Sequence, residues 1–182
     1  MAMEVGMKST TGKASFGLQG CLETCRRCEH LVLLLSDSAT DRHLFEVIGP
    51  HLRHCLDHFR SLLKGLESGT IDYEAQKGDS GMVTDPDLFL AALYRVTAEL
   101  AGLEGISTTQ AVDVVQAAAP DTQPVSVGST LERELIFLSS HTIHHLAQVI
   151  EVAEGRGVSV QSDLGMAFSP SIHPNRQEIA TL

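Results

Sequence analysis

Residues 129–155 read STLERELIFLSSHTIHHLAQVIEVAEG, and the periodicity of this stretch decides the fold class. Placed at about 100° per residue with His141 as zero, Leu131, Leu135, Leu138, Leu146, Val149 and Val152 fall between about 20° and about 140°. That is one continuous apolar stripe of an amphipathic helix. Ser129-Thr-Leu-Glu132 has the S-x-x-E form of a capping box, and Gly155-Arg-Gly157 closes the pattern, so the helix is expected to run to about Glu154. On this wheel His141 and His145 stand on or beside the stripe one turn apart, whereas His144, at about −60°, points away. Imidazoles at i and i+4 have Cβ atoms only about 6 Å apart, so both can bind one metal ion.

A second stretch, from Gly49-Pro50 to about Glu67, has the same character, with Pro suited to a first helical turn and Ser68-Gly69 as the stop. Ile48, Leu52, Cys55, Leu56, Phe59 and Leu62 belong to its apolar stripe, centred near about 80° when His51 is zero. His58, His51 and His54 crowd one edge of that stripe, at about −20°, zero and about −60°. If this edge meets the histidine edge of the later helix, a third imidazole completes a three-histidine site with open positions for water or substrate. Two clusters on two helices of a small bundle outweigh the alternative of separate histidines, each hydrogen-bonded to backbone or water. The wheel places His51 and His58 nearer the stripe than His54. The zincin motif H-E-x-x-H is absent, because Thr142 and Ile143 follow His141, so the motif supplies no glutamate base.

The rest of the chain fits around these two helices. Apolar residues recur at helical spacing from Phe16 to about Leu35, and Thr84-Asp85-Pro86 opens a helix to about Leu103. The polar stretch Thr70–Gly81 reads as an ordered loop. Ala111–Val115 and Pro124–Val127, separated by Pro120-Asp121, can pair as a short hairpin. The expectation is therefore an all-α four-helix bundle with a β-hairpin inserted between helices 3 and 4. It occupies residues 15–170, between a frayed N-terminus (1–14) and an extended C-terminal tail (171–182).

The 182 residues are 43% hydrophobic and 20% charged, a globular balance, and Trp is absent beside six Phe and two Tyr, so the core is aliphatic. The formal charge is −10 with the nine histidines neutral, which disfavours nucleic acid and anionic membrane surfaces as partners. The longest aliphatic run, Leu31 to Leu35, is far short of the roughly 20 residues that span a bilayer, and no apolar h-region precedes it. Four cysteines in a chain of this length do not make a disulfide framework, so the expected compartment is the reducing cytoplasm. Cys21, Cys25 and Cys28 lie on one face of the first helix and read as small packing residues. Cys25-Arg-Arg-Cys28 has no preceding strand, as a redox motif would, and no second C-x-x-C pair, as a zinc site would. Thr11-Gly12-Lys13 fails the P-loop spacing and lacks the following Ser or Thr.

His54-Cys-Leu-Asp57-His58-Phe59 and His141-Thr-Ile-His144-His145-Leu-Ala-Gln148 resemble the DinB/YfiT-like superfamily of four-helix-bundle metalloproteins. The segments LRHCLDHFRSLLKGLESGTIDYE, RELIFLSSHTIHHLAQVIEVAEG and the tail DLGMAFSPS are similar to one uncharacterised branch of it, so the resemblance covers most of residues 16–170. It implies a DinB-like bundle and a divalent metal held by His54, His141 and His145, with His58 as the reserve for His54. Members of that branch tend to carry arginines after the Asp-Tyr pair. Here Ala75, Gln76 and Lys77 follow Asp72-Tyr73-Glu74, so an anion contact by such arginines is not carried over.

The superfamily includes thiol-dependent S-transferases, isomerases and hydrolases, and fold membership does not choose among them. The resulting expectation is a metal-dependent hydrolase or thiol S-transferase acting on a small molecule, with a low-molecular-weight thiol as candidate co-substrate. The alternative is a stress-response bundle whose metal is structural. All-nitrogen ligation suits Zn, Ni or Fe(II), and affinity is expected to fall below about pH 6 as the imidazoles take protons. A homodimer is compatible with a bundle of this size. Asp57, at about 240° on its wheel, is read as at least as much a surface residue as a base, and Tyr73 as a side chain able to reach over the bundle mouth.

Overall fold

The computed structural model describes residues 15–37, 43–75, 80–161 and 163–168. Within them lie α1 (Phe16–Asp37), α2 (Leu44–Ser68), β1 (Thr70–Asp72), a 3-10 turn (Ser80–Val83), α3 (Pro86–Ala101), β2 (Ala111–Gln116), β3 (Val125–Thr130) and α4 (Leu131–Gly155). The expected termini, 1–14 and 171–182, fall outside the described residues, as do Gln76 and Lys77. Both α1 and α2 pack on α3 and on α4, while α1 and α2 barely touch. Four helices thus form a bundle with α1 and α2 on one diagonal. The centre is aliphatic, as the composition requires: Leu31, Leu52, Leu56, Leu135 and Leu138 are all buried, with Phe59 and Phe89 as the large fillers. No described helix is long and apolar enough to cross a membrane.

The hairpin forms as expected, with Ala111 opposite Thr130 and Gln116 opposite Val125. The expectation of an otherwise all-α chain needs correction, however, because β1 adds a third strand parallel to β2 in the order β1-β2-β3. The polarity of Thr70–Gly81 predicts a loop where Thr70–Asp72 forms this strand. Three residues are too few for alternation to register, and their partners, Asp113 to Val115, lie some forty residues away in sequence. What holds the strand is Gly69, left-handed at φ 79°, which turns the chain out of α2, and Ile71, fully buried beneath it.

The start of α2 also differs. It begins at Leu44, and Pro50 lies inside it, although proline removes the hydrogen bond its N–H would make one turn back. Burial of Leu44, Ile48 and Leu52 along one stripe carries the helix through that gap. Gly49 has a packing reason: the carbonyl of Val83, in the 3-10 turn, occupies the space a Cβ would need.

Asp85 caps α3 as read, accepting from the N–H groups of Asp87 (2.9 Å) and Leu88 (3.1 Å), with Pro86 in the first turn. The cap of α4 shifts by one residue: Thr130 Oγ1, not Ser129, accepts from Arg133 N. Glu132, expected to close a capping box, instead reaches α1 and accepts from Gly17 N (2.9 Å) and Ser15 Oγ (2.7 Å). That contact ties the N-terminus of α1 to the first turn of α4, and an acidic side chain there also suits the helix dipole.

Candidate metal centre

Helices α2 and α4 run antiparallel, so that His51 faces His145 and His58 faces His141. His54 sits between them, its ring centroid 4.3 Å from His58, 5.1 Å from His141 and 4.9 Å from His145. The two histidine edges read from the wheels therefore meet, for a plain physical reason. Each stripe is buried in the bundle, and its polar edge is left along the seam between the two helices. His144 is exposed, as its wheel position requires.

Among the described residues, His54, His58 and His141 each offer a ligand atom, all within 4.8 Å of one another. Of the expected ligands, His54 and His141 belong to this group and His145 does not, whereas His58, the reserve, does. His145 remains one ring away, its centroid 4.6 Å from His141, and its Nδ1 lies 3.2 Å from His51 Nδ1.

Protonation favours ligation. His58 Nδ1 lies 3.0 Å from the carbonyl oxygen of His54. A carbonyl only accepts, so Nδ1 donates, and in that tautomer it is Nε2 of the neutral ring that carries the coordinating lone pair. Burial, and then the neighbouring imidazoles His58 and His145, lowers the His141 pKa to about 3. Burial followed by His54 and His51 lowers His145 to about 4. His54 and His58 are also pushed below the usual range, in both cases chiefly by burial. At neutral pH these four rings are uncharged, the form that binds metal. The folded protein therefore resists protonating these imidazoles until conditions well below about pH 6. His141 Nε2 is buried with no hydrogen-bond partner, an arrangement that costs about 1–3 kcal/mol in a polar group left unsatisfied.

The seam is closed at the His58 end by aromatic rings. Tyr73 stacks on His58 at 5.1 Å between centroids and 22° between planes, and it is buried there instead of spread over an open mouth. Phe137 stacks on His141 at 5.5 Å and 24°, and the Arg133 guanidinium lies over the Phe137 ring, 5.2 Å from its centroid. The Tyr73 hydroxyl donates to Glu134 Oε2 over 3.0 Å. Burial, reinforced by the Glu134 charge, pushes that phenol well above its ordinary pKa.

Glu134 was missed by sequence reasoning. It is fully buried at the start of α4, and besides Tyr73 it accepts from Ser129 Oγ and from Arg133 Nη1 at 2.8 Å. A signal was present: Glu134 falls at about 20° on the α4 wheel, a carboxylate standing on the apolar stripe.

Asp57 is a correction of the opposite kind. Its wheel position points outward, yet it is only 6% exposed, because β1 and the 3-10 turn pack along that side of α2. There it accepts from Arg60 Nη1 at 3.4 Å and lines an open groove of about 710 Å³ together with Ser61, Lys64 and Asp72.

The four cysteines are buried free thiols, consistent with packing residues. Burial pushes Cys25 up to about 11 and Cys55 up to about 12, so neither is a ready nucleophile. Cys21 donates to the Leu135 carbonyl at 3.1 Å, as a small polar contact within the α1–α4 interface.

No family model matches the chain, and no curated protein and no solved structure matches it. What fold and site define is a class: a four-helix bundle with a small sheet and a histidine-lined seam between its second and fourth helices.

Proposed function

We propose that the chain is a DinB-like metalloenzyme in which His54, His58 and His141 hold a divalent metal, with His145 one ring away. The observation that carries this reading is the convergence of one ligand atom each from His54, His58 and His141 within 4.8 Å, on a ring of His141 whose Nε2 is buried and unpartnered. The donor set fits a borderline cation such as Zn, Ni or Fe(II): neutral nitrogen ligands, with the tautomer of His58 already set by its backbone bond. When bound, such an ion lowers the pKa of water or of a thiol enough to yield a nucleophile near neutral pH.

The residues around it have separable tasks. His54 occupies the middle of the seam, its ring against those of His58, His141 and His145. Tyr73 and Phe137 cover His58 and His141 and keep bulk water from that end. Glu134 holds the Tyr73 hydroxyl, and through it the ring that stacks on His58. A hydrolase or thiol S-transferase acting on a small molecule fits this arrangement, and the free thiols fit the reducing cytoplasm as its compartment.

A second reading is favoured by one observation, the closeness of His145 to both His54 and His141. Were all four imidazoles to bind one ion, the shell would be closed, as in structural sites. Elemental analysis of untagged protein purified without added metal tests the metal itself, and protein free of stoichiometric metal overturns both readings. Substitution of His141 by Ala separates them. For an enzyme, metal and turnover of ester, amide or thiol-transfer substrates vanish while the fold persists; for a structural site, thermal stability collapses with the metal.

A further inference from the structure

The seam contains more imidazoles than a three-ligand site uses. Their rings form a ladder in which His51 faces His145, His54 bridges His145 and His141, and His58 closes on His141. The deep end, His54, His58 and His141, is the centre described above. At the other end His51 Nδ1 and His145 Nδ1 stand 3.2 Å apart. One of these nitrogens donates to the other; two nitrogens bound at about 2.0–2.1 Å to one tetrahedral ion lie about 3.3 Å apart, so an ion can take the place of that proton at the same spacing once the donor ring shifts to its Nε2–H tautomer. Gln148, three residues beyond His145 and hence on the same face of α4, buries its amide oxygen with no hydrogen-bond partner. Buried acceptors are nearly always satisfied, and a cation beside the pair would satisfy this one. The histidine-bearing face of α4 thus holds two orphaned buried atoms, His141 Nε2 and Gln148 Oε1.

We infer that the seam has two cation positions: a deep one at His54, His58 and His141, and an outer one at His51, His145 and the Gln148 amide oxygen. This rests on the metal reading of the deep end and adds to it. Neither set contains a carboxylate or a thiolate, so nothing in the protein's own ligands offsets the charge of a second dication about one helical turn from the first. The outer position therefore fills together with an anion able to bridge the two ions, a carboxylate or another oxyanion. By linkage the anion and the second ion each tighten the binding of the other. The substrate class this assigns is anionic, held between the two positions without the arginines that the loop after Tyr73 lacks.

The test uses the untagged full chain, stripped with a chelator and reloaded with cobalt(II), with and without acetate as the bridging probe, counting bound cobalt after gel filtration. The expected result is one ion per chain without acetate and two with it. His51→Ala should keep the first ion and abolish the acetate-dependent second. Gln148→Leu, which removes the orphaned oxygen at similar volume, should weaken the second uptake by roughly tenfold. One ion under both conditions, lost in His54→Ala but unchanged in His51→Ala, overturns the outer position and leaves the proposed function standing. Two ions that persist in His51→Ala also overturn it. No ion in any condition overturns both proposals.

Discussion

Two ladders of side chains run through this bundle with nearly the same spacing and opposite outcomes. Cys21, Cys25 and Cys28 climb one face of α1, and His51, His54 and His58 climb one edge of α2. The cysteines enter a dry core, at most 2% exposed, where burial raises their pKa values and leaves them neutral. The histidines enter a seam where further imidazoles from α4 stand opposite them. At His54 and His58 burial again favours the neutral form, but for imidazole the neutral form is the ligand, whereas a neutral thiol is inert. Spacing on one helix makes a column; the facing helix and the acid–base chemistry of the side chain decide whether the column is a site.

Substitutions can break this contrast. The largest effect is expected from His141→Ala, which removes the unpartnered Nε2 from the centre: bound metal should drop from stoichiometric to background by elemental analysis. Cys28→Ser should do the reverse. It places a hydroxyl in a fully buried apolar position, costing about 1–3 kcal/mol in denaturant unfolding, with metal content unchanged. A loss of metal in that variant would erase the distinction between the two ladders.

Acid should sharpen it. His141 and His145 have folded pKa values of about 3 and about 4, below the 6.5 of an ordinary imidazole. The unfolded chain therefore takes up protons first, and the stability of the metal-free protein should decline as pH falls from about 6.5 toward that range. Above about 6.5 these groups contribute no pH dependence, since they are neutral in both states. Bound metal should shift the decline to lower pH, which thermal melts of the two forms across pH 4–8 would show; coincident curves would count against histidine ligation.

The fourth effect is intermediate to small. Tyr73→Phe keeps the ring on His58 but withdraws one donor from buried Glu134, a loss of about 1–2 kcal/mol in unfolding free energy. Smallest is Asp85→Ala at the cap of α3, about 1 kcal/mol, with no change in metal. That variant is a control for stability alone, remote in role from either ladder.

Much of this was legible beforehand. The helices were readable because their apolar residues repeat every turn over long stretches, and the hairpin because two alternating segments flank a turn signal. Helix boundaries were less so. Gly49-Pro50 looks like a start, yet the glycine is there for the approach of Val83 and the proline is carried by burial on either side. Asp57 and Glu134 show the two ways in which a wheel misleads. The first is covered by β1 and the 3-10 turn, which one helix cannot foresee, and the second lies on the apolar stripe because Tyr73, Ser129 and Arg133 satisfy it there.

By itself the sequence determined an acidic, aliphatic, mainly helical chain and the columns of histidine on two helices, because these depend on composition and on a period internal to each segment. Only the tertiary structure decided which histidines meet, that His58 joins His54 and His141 while His145 pairs with His51, and that a third strand completes the sheet. Those outcomes depend on how helices and strands distant in sequence are rotated and shifted against one another. That is fixed by packing of the whole core, and no single segment carries it.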